Sequence, residues 1–91
     1  MFLEIVTPEA VLFSGDVESV AVPGINGEFQ MLDNHAPIVS LLQAGSIKIK
    51  GNISLTEAVQ DKFTKDGDDT VLAIESGTIE LNENKIIILA D

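Results

Sequence analysis

No cysteine occurs in the 91 residues, so disulfides and thiolate metal ligands are excluded and the redox compartment is left open. Tryptophan, tyrosine and arginine are absent as well, and phenylalanine occurs four times. Any core must therefore be aliphatic. No apolar stretch approaches the roughly 18 residues that a membrane-spanning helix needs. Met1-Phe2-Leu3-Glu4 also lacks the basic-then-apolar start of a secretory signal. Without such a signal, Asn52-Ile53-Ser54 is not read as a glycosylation site. Positive charge is scarce: five lysines face 15 acidic residues, for a net charge of −10. That balance argues against nucleic acid, whose phosphates need compensating cations, and against direct lipid insertion or adhesion to an anionic membrane. All five cations (Lys48, Lys50, Lys62, Lys65, Lys85) follow residue 47, and the first 47 residues carry six acids and no base. A contact face drawn from that half is acidic and suits a neutral or basic partner.

What is present favours strands. Eleven Ile, eight Val and five Thr supply β-branched side chains that pack well on a pleated surface. Turn residues recur at short intervals, among them Ser14-Gly15, Pro23-Gly24, Asn26-Gly27, Asp33-Asn34, Ala44-Gly45, Asp66-Gly67 and Ser76-Gly77. This spacing predicts one domain, residues 1–91, of the all-β class: a sandwich or barrel of about eight to ten short antiparallel strands. Ile47 and Ile49 alternate with Lys48 and Lys50, and Ile79 and Leu81 flank Glu80, as strands with one solvated face require. Leu3 with Ile5, Val20 with Val22, Phe29 with Met31, and Leu72 with Ile74 read as further inward pairs. Lys85 to Leu89 holds three consecutive Ile and reads as a strand covered on both faces. From Ser54 to Phe63, Ser-x-x-Glu followed by Ala58, Val59 and Phe63 reads as a capping box opening a short helical turn. The polar Lys65 to Asp69 that follows reads as a mobile loop.

Chemistry-bearing patterns are few. Asp61, Asp66, Asp68 and Asp69 miss the spacing of a calcium loop, and Gly24-Ile25-Asn26-Gly27 is too short for a phosphate cradle. The one histidine, His35, has no arrangement of nucleophile and acid beside it. The expectation is of no catalysis, no metal and no cofactor. Two other classes remain open: a lipoyl- or biotin-type carrier, whose Asp-Lys is mimicked by Asp61-Lys62, and a free-standing protein-binding sandwich. Any domain that works bound to a partner would, seen alone, leave apolar residues bare on one sheet, with Phe2, Phe13, Met31 and Leu42 as candidates.

Several strings occur in a distinctive order: Leu3-Glu4-Ile5-Val6-Thr7-Pro8, Phe13-Ser14-Gly15-Asp16-Val17-Glu18, Val22-Pro23-Gly24, Gly27-Glu28-Phe29, His35-Ala36-Pro37, Leu72 to Gly77, and Ile88-Leu89-Ala90-Asp91. Together they resemble the N-terminal domain of F-type ATP synthase epsilon subunits over nearly the whole chain apart from residues 51–69. The resemblance implies a flattened antiparallel sandwich with no active site, placed at the foot of the central stalk. There it would grip the gamma subunit and rest on the ring of c subunits, so that ion-driven rotation is coupled to ATP synthesis. It also implies a peripheral position on the cytoplasmic face of a bacterial-type inner membrane, or the equivalent organelle face.

Carried over residue by residue, the likeness assigns Glu28 to the acidic position facing basic c-ring loops, and His35 to the same rim. Asp33 adds a charge there. The family pattern has a second Gly where this chain has Gln30, and Pro-Gly where it has Asp33-Asn34. Many members continue beyond Leu-Ala-Asp into two helices that restrain ATP hydrolysis. A chain ending at Asp91, whether a natural short form or one cut at the domain boundary, would lack that restraint.

Overall fold

A computed structural model describes all 91 residues, Met1–Asp91. The β-branched, period-two segments become ten strands: β1 (Phe2–Val6), β2 (Val11–Asp16), β3 (Ser19–Gly24), β4 (Gly27–Leu32), β5 (Ile38–Leu42), β6 (Gly45–Lys50), β7 (Phe63–Asp66), β8 (Asp69–Ile74), β9 (Gly77–Asn82) and β10 (Lys85–Ala90). They form one curled sheet in the order β2-β1-β10-β9-β5-β3-β6-β8-β7, with β4 on the other side of β3. Its halves, β2-β1-β10-β9-β5 and β4-β3-β6-β8-β7, share one strand bridge, Gly24 with Leu42. Near that corner the chain passes from β5 into β6 and from β8 into β9, so each bent pair crosses from one half to the other.

The inward pairs meet between the halves in one cluster of 20 buried apolar residues. Leu3, Ile5, Ile86 and Ile88 from one half and Val20, Val22, Ile47 and Ile49 from the other are fully buried. Phe29 is only half-buried, while its pair-mate Met31 is fully enclosed. Gly77 marks a close approach of backbones: a Cβ there would lie 2.5 Å from the Leu89 carbonyl oxygen, so a larger residue would push β9 and β10 apart.

The all-β class holds, with four differences in detail. First, β1 pairs with β10 in parallel, Phe2 opposite Lys85 through Val6 opposite Leu89. No hairpin connects these strands, so nothing forces them antiparallel. Second, β10 is not covered on both faces: Ile86 and Ile88 point inward, while Ile87 is half-buried and Leu89 is exposed. Third, the helical turn shrinks to a 3₁₀ turn over Gln60–Lys62 whose cap, Val59, makes no side-chain hydrogen bond; Ser54 does not act as a cap. Burying Val59 and Phe63 anchors this segment, and no amphipathic helix forms. Fourth, Lys65 to Asp69 is a β7–β8 hairpin, with Asp66 opposite Asp69 across Gly67-Asp68. Gly67 takes φ 63°, the left-handed conformation such a tight turn favours.

Candidate functional site

The three residues carried over by resemblance do not sit together. Glu28 stands near the β3–β4 hairpin, opposite Pro23, whereas Asp33 and His35 follow the far end of β4, where Leu32 lies opposite Ser19. Five residue-to-residue steps separate Glu28 from Asp33, about 16 Å at the usual strand rise. Glu28 is also engaged inside the molecule: its Oε2 lies 3.1 Å from Lys48 Nζ on the outer face of the β4-β3-β6 half. Both partners are partly exposed, so the pair contributes roughly 0 to 1 kcal/mol.

Asp33 and His35 share a rim. The loop from Asp33 to Pro37 is exposed at every residue and buries no apolar side chain. Polar contacts hold it. The His35 N–H donates to the Leu32 carbonyl at 3.1 Å. Asn84, on the turn between β9 and β10, accepts from the Asn34 N–H through Oδ1 at 2.9 Å. Through Nδ2 it donates to Asp33 Oδ1, also at 2.9 Å. The Met1 ammonium lies 3.1 Å from the same Asp33 oxygen. The Asn84 hydrogen bond, followed by the hydrogen bond and charge of that ammonium, holds the Asp33 carboxyl below its ordinary pKa. His35 Nδ1 lies 2.7 Å from the Ala36 carbonyl oxygen, a local contact. Asn34 at φ 63° makes the bend where the family pattern has glycine, and asparagine tolerates that conformation better than most residues.

At the opposite end of the strands the outer face is apolar. Val11 lies opposite Val6, Val6 opposite Leu89, Leu89 opposite Thr78, and Thr78 opposite Leu41. The Leu41 carbonyl then accepts from the Ile25 N–H. One row thus crosses five strands and ends at the β3–β4 turn. Val11, Ile25, Leu41 and Leu89 are each more than half exposed. Beside the row runs an open groove of about 710 Å³ lined by Val6, Pro8, Ile25, Leu41, Thr78 and Leu89 among others.

Sequence reasoning missed this row. It nominated Phe2, Phe13, Met31 and Leu42, of which Phe13, Met31 and Leu42 are buried and Phe2 is half-buried. The signal existed in the alternation of β10, since inward Ile86 and Ile88 place Leu89 on the outer face. Phe13 was harder to place, because a register shift between Ile5 and Val6 puts both Leu12 and Phe13 in the core.

Other patterns sort themselves by position. Lys62 ends the 3₁₀ turn and does not occupy a hairpin apex, where a carrier's lysine must stand. Asp66, Asp68 and Asp69 lie on the β7–β8 hairpin, and no group of three His, Asp or Glu converges as a metal site would require. No helix is long and apolar enough to cross a membrane.

The chain is similar over residues 1–91 to the family described as ATP synthase, Delta/Epsilon chain, beta-sandwich domain. It is 44% identical over 91 residues to the ATP synthase epsilon chain of Campylobacter concisus, spanning all of this chain and 60% of that protein. With the epsilon chain of Chlorobium limicola the identity is 37% over 89 residues, 98% of this chain and 86% of that one. Several of the matched relatives are thus longer, this chain spanning about 60% of their length. In fold it resembles a chain from the central stalk/c-ring of Tetrahymena thermophila mitochondrial ATP synthase, at TM-score 0.74 and 12% identity, covering 98% of this chain and 61% of that one. A chain from Euglena gracilis mitochondrial ATP synthase gives TM-score 0.71 at 15% identity, covering 97% and 48%. With a full-length family match and a relative of comparable length at 37% identity, the chain belongs to the delta/epsilon family of ATP synthase β-sandwich domains.

Proposed function

We propose that this domain is a non-catalytic connector in the rotor of an F-type ATP synthase, joining the gamma subunit to the c-ring. The observation that carries the reading is the presence of two unlike surfaces at opposite ends of the same strands. The apolar row Val11-Val6-Leu89-Thr78-Leu41 with Ile25 suits a persistent contact with gamma. Leu41 and Leu89 are already close to half covered, so a partner that takes the rest of either side chain out of water gains about 1 kcal/mol from each. The rim of Asp33, Asn34 and His35 is polar; Asp33 meets the Met1 ammonium and Asn84 through Oδ1, and its exposed Oδ2 suits the basic loops of a c-ring. Glu28 takes a secondary part: it already pairs with Lys48 and would have to exchange that partner to meet a ring. Bound in this way, the domain is peripheral on the face of the membrane where gamma meets the ring, the cytoplasmic face in a bacterium.

Capture of purified gamma subunit and c-ring from the same organism tests the reading. The wild-type chain is expected to capture both. Leu41→Asp should weaken gamma capture by at least about tenfold, as expected when a charge replaces a buried leucine, and leave ring capture intact. Glu28→Lys should leave gamma capture unchanged and weaken ring capture only where Glu28 leaves Lys48 for the ring. A folded wild-type chain that captures neither partner would sink the assignment and return the domain to the free-standing class.

A further inference from the structure

We propose that Asn84 is a positioning residue that presents the Asp33–His35 rim to the ring, an inference that rests on the connector reading above. The loop from Asp33 to Pro37 has no buried side chain of its own, so its conformation depends on polar contacts. Asn84 supplies two of these with one side chain. Its Oδ1 takes the Asn34 N–H at 2.9 Å, and its Nδ2 reaches Asp33 Oδ1 at 2.9 Å. A primary amide has the acceptor and donor that such a two-point grip requires.

The platform behind this grip is stiff. Asn84 sits in a two-residue turn between Asn82 and Lys85, with φ 62° at Asn84 and φ 50° at Glu83. The strands leading into and out of that turn carry Leu81 and Ile86, at most 1% exposed. The Asn84 backbone carbonyl also accepts from the Phe2 N–H at 3.0 Å, tying the turn to β1. The loop itself joins β4 in one half of the sheet to β5 in the other. Asn84 therefore ties an exposed crossing to strands anchored in the core by Leu81 and Ile86, and the direction in which His35 points follows from that anchoring.

The turn conformation dictates the variants. Asn84→Gly removes the side chain while accepting positive φ, so the hairpin survives. Asn84→Asp keeps an acceptor for Asn34 but sets a second carboxylate against Asp33. Adding Asp33→Asn to Asn84→Asp exchanges donor and acceptor and allows the pair to re-form.

Hydrogen exchange of the Asn34 amide and capture of gamma and of c-ring are measured for the wild type and all three variants. Asn84→Gly is expected to speed Asn34 exchange about fivefold, the factor that loss of one net hydrogen bond gives. It should weaken ring capture by a similar factor and leave gamma capture unchanged. Asn84→Asp should do the same, and the exchanged pair, which re-forms the hydrogen bond without the Asp33 charge, should return Asn34 exchange toward wild type. Unchanged Asn34 exchange in Asn84→Gly overturns the inference, and so does faster exchange with undiminished ring capture. Weaker ring capture with gamma capture intact in Asn84→Gly is the result that a merely structural role would not give. A wild-type chain that captures gamma but no ring overturns the ring contact itself, and that failure is read from the wild type alone.

Discussion

Glu83 shows how a single residue can be wrong for its place while its neighbour is right. Both Glu83 and Asn84 have positive φ in the β9–β10 turn, a type I′ arrangement that favours Asn or Gly. Asn84 meets that requirement and glutamate does not. Glu83→Gly is expected to raise stability by about 0.5 to 1 kcal/mol, read as a shift of the urea midpoint at constant slope. Asp33 belongs to the same neighbourhood and titrates with it. Its folded pKa lies below the unfolded value, so its stabilising contribution is fully present above the unfolded value and is lost as pH falls through the folded one. A carboxyl NMR titration should place the Asp33 midpoint under the ordinary 3.8, and Asn84→Gly should move it upward. A midpoint unmoved by that substitution would mean that the Met1 ammonium alone sets it. Neither Asn84 nor the ammonium could be paired with Asp33 from the sequence, because contacts across some 50 or 30 positions carry no local pattern. His35, by contrast, was legible as a residue of an exposed turn, from Asp33-Asn34 before it and Pro37 after it.

Elements were legible in proportion to how strictly they alternate. Ile47/Ile49, Ile79/Leu81 and Val20/Val22 show period two and are buried as read. The three consecutive Ile of β10 concealed the alternation, since apolar residues on the outer face look the same in sequence as those inside. There, neighbouring strands decide: β1 and β9 flank β10 fully, while its outer face remains open. Ile88→Ala in this inner position should cost about 2 to 5 kcal/mol, because a fully buried side chain leaves a cavity that close-packed neighbours cannot fill. Ile87→Ala, at a half-buried outer position, is the control and should cost clearly less in the same denaturation experiment. The segment from Ser54 to Lys62 went the other way. Ser-x-x-Glu matched a local rule, but with Val59 and Phe63 buried and Leu55 packed partly against the core, a single 3₁₀ turn satisfies the packing without a helix.

At the scale of the whole molecule, the order of the strands sets a schedule for folding. β1 pairs with β2 on one side and with β10 on the other, so one edge of the first strand is completed only by the last. On a ribosome, residues 2–6 are made about 80 residues before their β10 partners, residues 85–89. A β1–β2 hairpin can form early, but a lone two-stranded ribbon is at best marginally stable in water. Leu3 and Ile5 must wait for Ile86 and Ile88 before they are enclosed. Closing so distant a pair carries the loop entropy that slows β-rich chains. The nascent domain is therefore expected to leave the exit tunnel with its first strand still seeking a neighbour, and to become resistant to proteases only once Lys85 to Ala90 have cleared the ribosome.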